Sequence, residues 1–316
     1  GPEPDFRHPF DASRPPNTTT RPPHEPDTHG LVRVPAREPA SPRTRLAAPA
    51  MSRLLRPLRD RLDAPDAFEV DEDATAERFA EAPWLPPVLR AASERRWELA
   101  LVVDAAPQMA VWREEAARLA HMLRTYGGFR DLKVYRLETG ADAPEGALLR
   151  GPGKGSPPRS PRSLVDPSGR RIVLVLTDAF APAWRRGAGH DLLRTWGRRQ
   201  PVAVVHALPQ RLWHLTGLFP RRMRLHATGA STANADLRWE FVDAMIDAWS
   251  APAGGSPTRL GAPRGAVAVP VLESDPDWLG PWVRFVTGHG PRWTRLAGLI
   301  ATPWAPAASA DEPVEA

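Results

Sequence analysis

The sequence predicts an α/β domain built on a mainly parallel, doubly wound sheet. Three observations carry that prediction. First, Leu99 to Asp104, Ile172 to Thr177 and Val202 to Ala207 are short, almost unbroken apolar runs. Strands of a parallel sheet are covered on both faces and read this way. Second, two of these runs lead straight into an acid, Asp104 and Asp178, and the third includes His206. In an open parallel sheet the carboxyl ends of the strands border the ligand crevice. Third, stretches with helical spacing separate the runs, and strand–helix alternation with short connections argues for parallel crossovers.

The elements follow in order. Residues 1 to 50 hold twelve prolines and almost no large apolar side chain. Such a stretch cannot bury enough surface to offset its ordering entropy, so a disordered, partly extended linker is expected. Residues 51 to 95 are a lead-in. Within it, Met51 to Ala64 is an amphipathic helix with Leu54, Leu55, Leu58 and Leu62 on one side, limited by Pro57. Asp73 to Glu81 is a second short helix, and Trp84 to Leu89 an apolar strap lying on the domain.

The domain itself spans about 96 to 290. After the strand ending at Asp104, a helix from Met109 to Tyr126 sets Trp112, Ala116, Leu119, Ala120 and Leu123 on its inner face. Gly127-Gly128 ends it. Leu132 to Leu137 is the second strand and Ala147 to Arg150 a short third. Gly151 to Gly169 is a Pro/Gly/Ser/Arg-rich loop. Ile172 to Thr177 is a central strand, His190 to Arg199 a helix, Val202 to Ala207 a strand, and Arg211 to Leu218 a short helix. Val267 to Leu272 is the last strand, followed by a helix from Asp275 to Thr287. Residues 291 to 316 are a tail or the start of a following module.

Composition narrows the function. Of 42 basic residues only Lys133 and Lys154 are Lys, and proline reaches 38. Arg, Pro and Ala excess together points to a high-GC coding sequence, which discounts the high pI as a sign of nucleic acid. The net charge of +5 is modest for 316 residues. With no cysteine, disulfides, thiolate zinc sites and a Cys nucleophile are excluded. A cytoplasmic location is expected, and no run is long enough to cross a membrane. The start, Gly1-Pro2-Glu3-Pro4, has neither an initiator Met nor a signal-peptide core, so a piece of a longer chain is expected.

The chemistry centres on Asp104 and Asp178. If their strands are neighbours, the two carboxylates converge, and a hard divalent cation would take them with waters completing its shell. The alternative is that each acid caps the next helix or satisfies loop amides. His206 ends the next strand and reads as a satisfied, semi-buried His. Gly151-Pro152-Gly153-Lys154-Gly155-Ser156 lacks the spacing of a phosphate loop, and no dinucleotide fingerprint follows the first strand. Arg150, Arg159, Arg162, Arg170 and Arg171, and also Arg221, Arg222 and Arg224, are candidate phosphate contacts without interleaved aromatics. No nucleophile–base–acid set is visible, so a catalytic role is not expected.

At Leu101 to Met109 and Ile172 to Asp178 the chain resembles a von Willebrand factor A-like domain. That resemblance implies a Rossmann-like sheet with a metal-ion-dependent adhesion site at its top. Val102-Val103-Asp104 looks like the first strand and first metal acid, and Leu176-Thr177-Asp178 like the second acidic loop. Ala106 and Gln108 stand where two coordinating Ser would be, and Ala179 where such loops often carry Gly. The metal set implied here is therefore degenerate: Asp104, Asp178 and Gln108, with weak magnesium binding or none and no other cofactor.

The chain also resembles a bacterial multidomain family of high-GC genomes. The matching segments are Leu55-Arg56-Pro57-Leu58-Arg59, Ala74-Thr75-Ala76-Glu77-Arg78, Pro161 to Pro167 and Pro209 to Trp213. In that family the domain follows a Pro-rich linker and precedes regulatory or ATPase-type modules, some in predicted conflict systems. The expectation is a non-catalytic interaction module whose partner is another protein or an adjacent domain, with Arg162, Thr177 and His206 as candidate contacts. Membrane and nucleic acid are not expected partners. The alternatives are a metal-dependent ligand-binding domain, and a phosphate- or polyanion-binding or enzymatic domain using the Arg-rich loop.

Overall fold

The structure, a computed structural model, describes residues 48–139, 147–153, 155–242 and 265–303. The linker expectation for residues 1–50 lies outside these, apart from the last three. Those three open helix α1, Ala48–Leu54, which a 3₁₀ turn at Arg56–Arg59 follows. The expected helix through Ala64 is thus cut short. Pro57 cannot donate to a preceding carbonyl and disfavours helical backbone in the residue before it. Strand β1 (Arg61–Val70), helix α2 (Glu72–Glu81) and strand β2 (Leu89–Arg95) come next, and β1 and β2 pair antiparallel as a two-stranded sheet of their own. Trp84 to Leu89 does not lie on the domain. Trp84 is 81% exposed, because this stretch joins α2 to β2 on a protruding arm.

The main sheet takes the ten remaining strands: β3 (Glu98–Asp104), β4 (Asp131–Glu138), β5 (Leu148–Arg150), β6 (Pro158–Arg159), β7 (Arg171–Thr177), β8 (Val202–His206), β9 (Arg221–His226), β10 (Arg238–Phe241), β11 (Val267–Glu273) and β12 (Trp293–Ala301). Their order is β10-β9-β12-β11-β8-β7-β3-β4-β5-β6. The five in the middle, β4, β3, β7, β8 and β11, run parallel. Both flanks are antiparallel. The sheet is therefore mixed around a parallel centre rather than parallel throughout. The antiparallel strands β9 and β10 were not legible, since Arg221-Arg222-Met223-Arg224 reads as a basic cluster.

Trp293–Ala301 is not a tail. It is β12, and it belongs inside the sheet. Its last five residues pair with β11 and its first six with β9, so it hands the sheet from one partner to the next.

Helices cover both faces. On one lie α1, α3 (Arg113–Tyr126) and α6 (Pro276–Thr287), packed over Leu99, Leu101, Ile172 and Leu174. On the other lie α4 (Pro182–Arg185) and α5 (Ala188–Gly197), over Val173, Val175, Val202 and Val204. Met51, Leu55 and Leu58 are fully buried in the first of these layers, so the domain begins well before residue 96. α3 starts at Arg113 rather than Met109, because a 3₁₀ turn at Pro107–Trp112 comes first. The expected helix from Arg211 is likewise a 3₁₀ turn, Gln210–Leu215.

Candidate functional site: a sealed polar row at the carboxyl edge

Strand register builds the site. Thr177 is level with His206, and His206 with Glu273. The pair before Asp104, Val103 opposite Leu176, sets Asp104 beside Thr177. In-register residues of parallel strands point to the same face. Asp104, Thr177, His206 and Glu273 therefore form one polar row across the carboxyl ends of four adjacent strands. β3 and β7 are also where the order of the parallel strands reverses, with β4 on one side and β8 on the other. That reversal is the usual ligand position of open α/β sheets.

Here the position is filled by the protein itself. Asp104 is 1% exposed, and both its oxygens are engaged. Oδ1 accepts the Ala106 amide at 3.0 Å. Oδ2 accepts the Thr177 hydroxyl at 2.8 Å and the Trp184 indole N–H at 2.7 Å. Three neutral donors thus hold the carboxylate, as burial of a charge demands. Trp184 is itself buried and locked by two glycines. A Cβ on Gly189 would come within 2.3 Å of its ring, and one on Gly217 within 2.7 Å of its carbonyl carbon. Ala106, at an expected Ser position, contributes its backbone rather than a side chain. Gln108 sits half-buried in the 3₁₀ turn and makes no hydrogen bond to either carboxylate.

Asp178 lies just past the end of β7 and is 2% exposed. Its Oδ1 accepts the Phe180 amide at 3.1 Å, and its own amide points at the Met109 sulfur at 3.2 Å. Burial pushes its carboxyl up to about 6, and the neighbouring Asp104 charge pushes the same way. The next residue, Ala179, has φ of 54° and no exposure. This left-handed backbone strains any residue with a Cβ, and its amide is tied to Thr177 Oγ1 at 2.8 Å.

His206 is buried, and desolvation drives its pKa down to about 3, so it is neutral near pH 7. Its Nδ1 accepts the Leu208 amide at 3.1 Å, which leaves Nε2 to carry the proton toward Thr216 Oγ1 at 3.4 Å. The ring stacks on Trp213 with centroids 5.4 Å apart, and Trp213 meets Trp278 edge-on. Glu273 closes the row by accepting the Gln210 amide at 2.6 Å.

Arg162 is not part of this site. It is exposed on the 3₁₀ turn Pro161–Leu164, which Trp196 and Gln200 tie to the end of α5, at the amino ends of the strands. Four of the other candidate arginines are paired with acids. Arg150 pairs with Glu138, Arg170 with Glu94, Arg171 with Glu98 and Arg224 with Glu240. Lys154 lies outside the described residues.

Sequence reasoning found Asp104, Asp178, Thr177 and His206, but missed Trp184, Trp213 and Glu273. One signal for Trp184 was available: a Trp six residues after an acidic strand end brings an N–H that needs an acceptor once buried. Among the described residues no group of three or more His, Cys, Asp or Glu is arranged to hold a metal ion. Two hollows, one beside Pro201 and Trp282 and one between Leu55, Leu123 and Trp282, are lined by core side chains, and neither reaches Asp104, Asp178 or His206. No helix among the described residues is long and apolar enough to cross a membrane. A scan against protein-family models finds no match. A search of curated proteins finds none either.

Proposed function

We propose that this chain is a von Willebrand factor A-like interaction domain with a degenerate metal site, acting as a non-catalytic module of a larger bacterial regulatory protein. Its partner is another protein or an adjacent domain of the same polypeptide. One observation carries the reading: the acid that would be the first metal ligand is spent on Ala106, Thr177 and Trp184. Strand order supports the fold assignment. Counting from β3, the six central strands lie in the order 3-2-1-4-5-6 of doubly wound sheets, with the short third strand, β5, antiparallel at one side. A cation at Asp104 would have to displace the indole N–H and would gain no hydroxyl from Ala106, although hydroxyls and carboxylates are the oxygen donors a hard ion needs.

The test is titration calorimetry with magnesium. The native chain is expected to take up none in the millimolar range. Ala106→Ser with Gln108→Ser is expected to gain little while Trp184 remains, and to bind once Trp184→Phe is added. Tight binding by the native chain, abolished by Asp104→Ala, would overturn the proposal in favour of a metal-dependent ligand-binding domain.

A further inference from the structure

Eleven large apolar side chains stand exposed among the described residues, and nine of them gather in two places. Six are on the arm of β1, α2 and β2: Phe68, Val70, Phe79, Trp84, Leu85 and Leu89. Val70 and Leu89 are paired directly across the two strands, and Phe68 sits two residues along β1, so the three share one face of the hairpin. The other three, Val111, Leu215 and Phe219, follow β3 and β8 at the carboxyl edge. Phe219 is 64% exposed with φ of 48°, an aromatic held outward on left-handed backbone.

The two places carry opposite charge. Residues 61 to 95 contain nine acids and four arginines, in a chain whose net charge is +5. The carboxyl-edge patch is built from residues 179–187 and 207–222, which contain no acid. It presents Arg185, Arg186, Arg211 and Arg222, all exposed. Gly217 N–H to the Ala179 carbonyl and Arg185 to the Leu215 carbonyl join its two segments. Of the acids at this edge, Glu273 touches the patch by accepting the Gln210 amide, while Asp275 and Asp277 stand at the start of α6.

Within one molecule the two surfaces sit at opposite edges of the sheet. The arm is rooted at the amino edge, where the Arg96 amide bonds the Asp60 carbonyl and Glu94 pairs with Arg130 and Arg170. The seven residues of β3 or β7 separate that edge from the other, a span of about 23 Å at ~3.3 Å per residue.

We infer that the arm of one copy docks on the carboxyl-edge patch of a second copy, so that this chain associates head to tail. Apolar contact would come from Phe68, Val70 and Leu89 against Leu215 and Phe219. The acidic arm and the arginines fix polarity and speed the encounter. Such a contact is heterologous, so it propagates to a ring or a filament rather than stopping at a dimer. This inference deepens the interaction-module reading and rests on it.

Sedimentation velocity of the full chain across the micromolar range tests it. The native chain should form species larger than a dimer, and salt should weaken them. Val70→Ser with Leu89→Ser on the arm, and separately Arg211→Glu with Phe219→Ser on the patch, should each weaken association at least about tenfold, ~1.4 kcal/mol. All four positions are exposed, so unchanged circular dichroism melts should accompany the loss. Mixing the two variants is decisive. One intact arm and one intact patch then remain, and a heterodimer that grows no further should appear. A native chain that stays monomeric overturns the inference, as does a mixture that stays monomeric while the patch variant alone dimerises through its arms. Magnesium titration is read separately, so failure of the sealed-site reading and failure of the docking contact give different results.

Discussion

The carboxyl edge and the arm invert the usual distribution of side chains in opposite ways. At the carboxyl edge a charged and polar row is buried: Asp104, Thr177, Asp178 and His206 are all nearly inaccessible. On the arm, large apolar groups stand in water. Buried polar groups and exposed apolar patches are the two informative departures from ordinary burial. The first is tolerated because each buried group has a partner, from the Trp184 indole on Asp104 to the Leu208 amide on His206. The second has no such compensation within the described residues. A two-stranded sheet is marginal by itself, and the arm depends on its root and on Thr75, whose hydroxyl bonds the Val88 backbone. Polar groups are enclosed at one region, while apolar groups are left exposed at the other.

Truncating equally large side chains in the two regions should break that contrast most visibly. Trp184→Ala removes a buried ring and strips a donor from a buried carboxylate. It should cost on the order of 3–5 kcal/mol in denaturant unfolding at neutral pH. Trp84→Ala, on the arm, should change stability by no more than about 0.5 kcal/mol. A similar loss at both positions would mean that the arm is packed in solution.

The acid limb of stability sharpens the comparison within the polar row. Asp178 titrates higher in the folded chain than unfolded, about 6 against 3.8. The stability this difference confers is present below pH 3.8 and is lost as pH rises through 6. Asp178→Asn should therefore stabilise the chain at pH 7 by about 2–3 kcal/mol, at ~1.4 kcal/mol per unit, and by little at pH 4. His206 acts in the opposite sense, with a folded pKa near 3 against 6.5. Its contribution is complete above pH 6.5 and drains away as pH falls toward 3. His206→Gln should remove about 2 kcal/mol of the native chain's loss between pH 7 and pH 5. Guanidinium unfolding of the three proteins at pH 4, 5 and 7 checks both signs. An unchanged pH profile in either variant would show that its group does not titrate as its burial dictates.

The smallest effect expected is on the arm surface. Phe68→Ser should leave unfolding within about 0.5 kcal/mol of the native chain, while altering association. A large stability loss would place Phe68 in a core.

The parallel centre was written in the chain, because β3, β7, β8 and β11 are local apolar runs of strand length whose character does not depend on their neighbours. So were α2 and α6, since Asp71 and Asp275 cap them through their own side chains. Asp104 and Asp178 were legible for the same local reason, as acids ending buried strands. Long-range contact decided the rest. Trp184 is eighty residues from Asp104, and its indole N–H meets that acceptor only in the folded chain. The room that Gly189 leaves for the Trp184 ring, and Gly217 for its backbone and Cβ, encloses the site. β9, β10 and β12 take strand form from pairing, not from composition. The arm's exposure was equally hidden, because Trp84-Leu85 reads as core material until the fold turns it outward. Periodicity and caps are properties of neighbours along the chain, whereas hydrogen-bond partners and burial are properties of neighbours in space.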